Sequence, residues 1–357
     1  MASDVFMIKV KNGDPDEVMA RKLNELIDAS GVLKFIQRED YTGIKIHFGE
    51  EGNTGHIKAE WLKGLVERLR SITNNIFFTD TNVLYKQSKR TNAVDHLKLA
   101  YSHGFDFQKM SVPVIIADGL LGRNYTDVEI NRKRFSRVKV ASGIADCDSL
   151  LALTHITGHI MTGFAGAIKN IGMGCASRRG KFEQHCGVVP DFNPQECVGC
   201  GLSASHSPTD TTTLSKGKAK IDETNCIGCG ECVVVCKTEA LNAKWSETLA
   251  NLQEKMVEYA CGAIEAVDGK IGYVNFLTNI TRNCDCLAKD EPRIVKDVGI
   301  LASSDIVSID SASANILNSL RDSDIFKQEY PEIDWTVQLR YAASLGLGDA
   351  NYNLRIV

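Results

Sequence analysis

GIKIHFGEEGNTGHIKAEWLKGLVERLRSITNNIFFTDT spans residues 43–81. It opens with a strand signal, GIKIHFG (43–49), and closes with another, NIFFTDT (75–81). Between them, residues 57–72 place Ile57, Trp61, Leu62, Leu65, Val66 and Leu69 at the three-to-four spacing of one helix face. Strand, helix, strand over so short a stretch builds a parallel pair, because the helix supplies the crossover that a parallel pair needs. The pattern continues in both directions. VFMIKV (5–10) reads as a strand, and 15–31 as an amphipathic helix with Asp14 or Asp16 near its start. A helix over 90–101 and the strand VPVIIAD (112–118) follow. DVEIN (127–131), RVKVA (137–141) and SLLALTHI (149–156) then come with little helix between them, so part of the sheet is expected to be antiparallel. A helix over 245–262, the strand GKIGYVNFLT (269–278) and the stretch DVGILASSDIVSIDSASANIL (297–317) resume the alternation.

Residues 190–243 break this texture with cysteine, glycine and short turns. CIGCGECVVVCK (226–237) has the Cys-x2-Cys-x2-Cys-x3-Cys spacing that holds a 4Fe-4S cubane, through Cys226, Cys229, Cys232 and Cys236. CVGCGLSASHSP (197–208) starts the same way with Cys197 and Cys200, but has Ser203 and Ser207 at the third and fourth ligand positions. In two-cluster ferredoxins the fourth cysteine of each run serves the other cluster. Each site would therefore keep three thiolates and lose one. Three readings stay open: serine alkoxides complete both cubanes, one iron per cluster is open or lost, or one site is complete, with a recruited thiol such as Cys186, and the other has decayed. One or two clusters are thus expected. Lys237 replaces the motif's proline, and its charge would favour the reduced state of an anionic cluster. The expected fold class is α/β: a mixed, largely parallel sheet with flanking helices, interrupted by a small ferredoxin-like α+β insert. Its parts are 1–189, the insert 190–243, and 244–357.

The 357 residues are 43% hydrophobic and 24% charged, with a net charge of -4. No basic surplus supports nucleic-acid binding, and no apolar run approaches the ~20 residues of a membrane span. The N-terminal stretch lacks a signal peptide's basic start and apolar centre, so a cytoplasmic location is expected. Of twelve cysteines, six lie between 197 and 236. In a reducing compartment they read as thiols or metal ligands. Cys147 and Cys261, in apolar surroundings, read as core residues.

THITGHIMTGFAGAIKNIGMGCASRRGKFEQHC (154–186) forms a second constellation. It holds His155, His159, Lys169, Asn170, Cys175, Arg178, Arg179, Lys181 and His185 among glycines that would let backbone amides approach a ligand. A glycine-rich helix packed on the sheet is the alternative. Lys45 and His47, at the end of the strand GIKIHFG, are expected to join this pocket. NCDC (283–286) presents Cys284 and Cys286 on the same side of an extended chain, flanking Asp285; they read as a metal or redox pair, or as two buried cysteines, and are expected to line the same pocket.

KIHFGEEGN, TDTNVLY, TNAVDHL, GFAGAIKNIGMGCASRRGK followed by QH, the cysteine insert, and NCDC before DVGILASSDIVSID together resemble the Domain of Unknown Function 362 family over nearly the whole chain. The resemblance implies a cytoplasmic iron–sulfur protein with a two-cluster ferredoxin insert, and no assigned activity. The chain departs from the family pattern at Ser203, Ser207, Lys237 and Ala165.

The leading expectation is electron transfer from the insert to a redox site in the α/β part, in a reduction or the reductive activation of a partner protein. GLLGRN (119–124) lacks the G-x-G-x-x-G spacing of a dinucleotide site, so a carrier protein is expected to bring electrons to a small-molecule substrate or partner. The rival is a metal- or anion-binding protein whose cluster domain is structural or partly lost. A third reading makes an open iron a Lewis acid.

Overall fold

The computed structural model describes residues 2–84, 88–185, 189–207, 210–224, 226, 230–242 and 247–357. An eight-stranded sheet organises the α/β part. Its strands lie in the order Tyr352–Ile356, Ser3–Lys9, Gly299–Ser303, Ile271–Leu277, Ser149–His155, Thr42–Lys45, Ile76–Asp80 and Val114–Ile116. Gly299–Ser303 runs antiparallel to both neighbours, and the other pairings are parallel. The fold class read from the sequence is therefore the one observed.

Alternation along the strands feeds a core on each face. Leu151 and Leu153, with Ile44, Phe78, Val274 and Phe276, join one core. Leu150 and Ala152, with Tyr273 and Leu301, join the other. The first core is covered by the helices Asp16–Ser30 and Lys63–Ile72, through Met19, Leu23, Leu26, Ile27, Leu65, Val66 and Leu69. Full burial of Leu23 stabilises the fold by about 1.5–3 kcal/mol. The helices Leu249–Ala266 and Ile306–Ser319 cover the second core.

The antiparallel element differs from expectation. SLLALTHI joins the sheet in parallel, whereas Tyr125–Glu129 and Arg137–Ala141 form a separate hairpin. The antiparallel strand is Gly299–Ser303. No helix lies between Leu277 and Gly299, so the chain has no crossover and must return alongside the strand it left. The returning loop carries NCDC.

The cysteine-rich stretch begins and ends together, with Asp191–Phe192 paired antiparallel to Leu241–Asn242. Between these come the short helix Leu202–Ser205, the hairpin Thr212–Ser215/Lys218–Ile221 and the short helix Glu231–Val235, with the two helices in contact. No helix among the described residues is long and apolar enough to cross a membrane.

Candidate functional site

From Thr42–Lys45 the chain builds outward through Ile76–Asp80 to Val114–Ile116, then returns to place Ser149–His155 on the other side of Thr42–Lys45. Ligand crevices form beyond the carboxyl ends of strands at such a reversal. A cavity of about 90 Å³ opens there. Its walls include Lys45 and Asp80 from the strand ends, His159 from the hairpin Thr157–His159/Gly163–Ala165, Lys169 from the helix Ala167–Gly172, and Lys181 and His185 from the helix Arg178–His185. His47, Arg90 and Cys286 complete the polar wall, while Val83, Leu84, Met173 and Leu252 are apolar.

The wall is cationic. Lys45 Nζ lies 3.0 Å from Asp80 Oδ1, with both side chains buried, and donates to Asn170 Oδ1 at 2.8 Å. Arg90, only 2% exposed, pairs with Glu50 at 3.2 Å and donates to His47 Nε2 at 2.8 Å. Lys181 donates to Asn82 O at 2.6 Å and to Thr81 Oγ1. Lys169 has no hydrogen bond or ion pair among the described residues. Burial, reinforced by Arg90, pushes its amine down to about 8. Burial likewise brings Lys181 to about 8 against the pull of Asp118. Asp80 is the only carboxylate among the described lining residues, and it is taken up by Lys45. The cavity therefore suits a small anion.

Three histidines of the constellation part company. Burial and the nearby Lys169 keep His159 and His185 well below the usual imidazole range, His185 at about 3, so both rings are neutral at pH 7. His155 does not line the cavity. Its Nδ1 lies 2.7 Å from Asp285 Oδ2 and its Nε2 2.6 Å from Thr278 O, so both nitrogens are engaged. Burial alone would discharge this pair, but mutual attraction outweighs it, holding Asp285 at about 2 and raising His155. His155 thus ties the NCDC loop to the sheet. Cys175 is not a wall residue either. It is fully buried in the second core, and burial pushes its thiol up to about 12. Cys147 and Cys261 are buried thiols as expected, at about 12 and 11.

NCDC adopts a turn, with Leu287 N–H donating to Cys284 O at 3.2 Å. Cys284 and Cys286 form a disulfide, and their sulfurs lie with a His159 ring nitrogen inside a 4.8 Å cluster. Sequence reading put 155–185 and 284–286 around one pocket, and His159 and Cys286 both line the cavity. It missed Arg90 and Asp80, although Asp80 is the last residue but one of NIFFTDT, whereas Lys181 stood in the glycine-rich constellation.

In the insert, the short helix after each CxxC starts from a glycine in the left-handed region, Gly201 (φ 79°) and Gly230 (φ 70°). The two helices thus start alike. Ser203 and Cys232 are each the second residue of their helix, and both are buried. Ser207 Oγ lies 3.3 Å from Thr211 Oγ1. Ala219 N–H donates to Cys197 Sγ at 3.4 Å. Cys200 is exposed, and Cys226 and Cys236 are half-buried. Cys186 and Cys229 lie outside the described residues. A Cβ on Gly230 would stand 2.5 Å from the Phe182 ring, so the second segment rests on the helix that carries Lys181 and His185. Leu84, Phe182, Cys232, Val233 and Leu241 form one small core across this junction.

The family described as Domain of unknown function (DUF362) matches residues 42–315. No curated protein matches the chain. Among solved structures, the lactate racemase apoprotein from Thermoanaerobacterium thermosaccharolyticum is similar at a TM-score of 0.42 and 11% identity, over 76% of this chain and 50% of that one. A structural-genomics protein from Thermotoga maritima is similar at a TM-score of 0.42 and 10% identity, over 94% of this chain and 61% of that one. The chain therefore spans between half and about three-fifths of the length of these two structures.

Proposed function

The chain belongs to the DUF362 family, and from its cysteine segments and the cavity beside them we propose that it is an iron–sulfur reductase acting on a small anionic substrate. The observation that carries this reading is the seating of the Cys226–Cys236 segment on the cavity's own helix, with Gly230 against Phe182 and Cys232 in a core shared with Leu84. Leu84 is also a cavity wall residue. A cubane held by the insert supplies one-electron transfer at low potential.

The donor set supports that cofactor. Cys226, Cys229, Cys232 and Cys236 have the spacing of a cluster run. The left-handed glycine after the CxxC turns the chain into a helix that brings Cys232 inward. At the first segment, the amide of Ala219 on Cys197 Sγ is the kind of hydrogen bond that stabilises a bound thiolate. Cys197 and Cys200, with Ser203 and Ser207, would hold a second cluster only with weaker hydroxyl ligands.

On the cavity side, Lys169 and Lys181 hold the anion and the apolar wall limits water. An ammonium near pKa 8 is also able to donate a proton to a substrate that gains electrons. We assign the protein to the cytoplasm and its electron source to a carrier protein. The experiment is reversible bleaching. The anaerobically reconstituted chain is expected to lose visible absorption with dithionite and regain it with ferricyanide, and Cys232→Ser to lose most of that signal. A reconstituted chain without a reducible chromophore would instead favour a binding protein, a reading for which the cationic cavity and the two serines speak.

A further inference from the structure

We infer that Cys284 and Cys286 form a thiol–disulfide exchange site on the cavity wall, in which Cys286 is the sulfur attacked and the reaction partner is a small thiol that also carries a carboxylate. The inference rests on the cationic cavity of the reductase reading but does not depend on the insert holding a cluster.

The bond joins residues two apart in sequence, and closing so short a loop gains little from cross-linking. The turn is already held without it. Asn283 donates to Glu291 at 2.9 Å and accepts from Tyr330 Oη at 2.8 Å, and Asp285 bonds to His155 at 2.7 Å. In the reducing compartment assigned above, a disulfide that does so little for stability is the kind used in exchange. Both cysteines are half-buried, and Cys286 is the one that lines the cavity. It shares the wall with Lys45, Arg90, Lys169 and Lys181. Asp80 takes up Lys45 and Glu50 takes up Arg90, which leaves the charges of Lys169 and Lys181 for a carboxylate. His155 likewise takes up Asp285, so the acid between the two cysteines is balanced and does not repel an incoming anion. His159 supplies a proton donor on the sulfur side. Its Nδ1 accepts the N–H groups of Met161 and Thr162 at 3.3 and 3.2 Å, so the ring proton sits on Nε2. The ring lies with a nitrogen inside 4.8 Å of both sulfurs, and its N–H is the donor at hand for the thiolate that leaves.

The electrons balance. One thiolate of the partner attacks Cys286 Sγ, the Cys284–Cys286 bond breaks, and Cys284 leaves as a thiolate that takes a proton from solvent. A second partner thiolate attacks the partner's sulfur in the mixed disulfide and releases Cys286, which takes the second proton. Two partner thiols thus become one disulfide, and the pair gains two electrons and two protons. The ammonium groups of the wall stabilise the thiolate that Cys286 becomes. Run in reverse, the reduced pair reduces a small anionic disulfide.

The test uses the full chain, oxidised anaerobically with diamide, then mixed with mercaptopropionate, mercaptoethanol or cysteamine and quenched with N-ethylmaleimide. Cleavage after Arg282 and Lys289 isolates NCDCLAK, which reports these two cysteines and none of the insert's. Each rate is divided by that of the free oxidised peptide NCDCLAK with the same thiol, which removes the thiol's own reactivity. On this scale the anionic thiol is expected to open the bond roughly tenfold or more faster than the cationic one, as attraction raises the encounter rate, with the neutral thiol between them. Lys169→Met should lose most of that preference. Cys284→Ser should form a mixed disulfide at Cys286 faster with the disulfide of mercaptopropionate than with that of cysteamine, and keeps the test decisive if Lys169→Met fails to fold. Two free thiols after diamide, rates that ignore the thiol's charge, a preference undiminished in Lys169→Met, or no mixed disulfide at Cys286 in Cys284→Ser would overturn the inference. Iron content, measured on samples kept from diamide, reports separately on the reductase reading.

Discussion

Lys169 extends into a cavity whose other cations are Lys45, Arg90 and Lys181, and it alone among the four has no hydrogen-bond acceptor among the described residues. Its proton is therefore lost at about pH 8 in the folded chain, well below the 10.4 of an exposed lysine. Below that pH an anion relieves the repulsion, and above it the attraction fades. Sulfate, whose own charge is constant over this range, should bind more weakly as pH rises through about 8. Lys169→Met should raise its Kd roughly tenfold at pH 7, about 1.4 kcal/mol. Calorimetric titration at pH 7 and pH 9 checks both, and binding indifferent to pH would contradict the cationic role. His155 calls for the opposite kind of test. His155→Asn leaves the buried Asp285 carboxylate unpaired, at a cost of about 3–5 kcal/mol in chemical denaturation. Asp285 contributes stability above its ordinary 3.8, lost as pH falls toward 2. His155 contributes below its ordinary 6.5, lost as pH rises through its raised value. The difference between wild type and variant should thus shrink on the alkaline side. Lys45, His47, His159, Lys169 and His185 were legible as wall residues because they stand at strand ends or beside glycines. His155 was misread because its role depends on Asp285, 130 residues away. Arg90, held by Glu50 and His47, carries no local signal at all.

At the scale of elements, periodicity was the reliable guide where a segment has one buried face. The helix expected over 15–31 is Asp16–Ser30, and that over 57–72 resolves into a 3-10 turn, Ala59–Leu62, followed by Lys63–Ile72. Leu23→Ala, at the centre of the first helix's buried face, should cost about 2–5 kcal/mol in denaturant unfolding. Direction was harder to read than type. A strand's sequence does not say which way its neighbour runs, and the missing helix before Gly299 was the only cue to the antiparallel return. The element that joins insert to cavity, the helix Arg178–His185, was read as part of a glycine-rich site, but its contact with Gly230 is a tertiary fact. Gly230→Ala should strain the left-handed backbone by roughly 1–2 kcal/mol and push on the Phe182 ring. Iron retained per chain should fall while the far-UV melting of the α/β part stays close to wild type. Unchanged iron content would mean that this seat does not support the cluster segment.

Over the whole molecule, the sheet reversal beside Thr42–Lys45 creates the crevice, the returning NCDC loop adds Cys286 to its wall, and the cysteine-rich segment packs behind it on Leu84 and Phe182. The α/β class was visible in the order of strand and helix signals. The approach of Arg90 and Asp80 to the wall shared by Cys286, His159 and Lys181 was not visible, because it depends on which strands lie side by side. The same arrangement gives the reductase reading its logic: a one-electron cofactor on one side of the helix Arg178–His185, an anion site on the other, and an apolar layer of Leu84 and Phe182 between. All of it rests on the insert holding a cluster. The most direct measurement is iron and acid-labile sulfide per chain after anaerobic purification, with an electron paramagnetic resonance spectrum before and after dithionite. The account predicts about four of each, or about eight if the serines complete the second site, and a signal that appears on reduction. Iron and sulfide near zero after reconstitution, with no signal in either state, would contradict it.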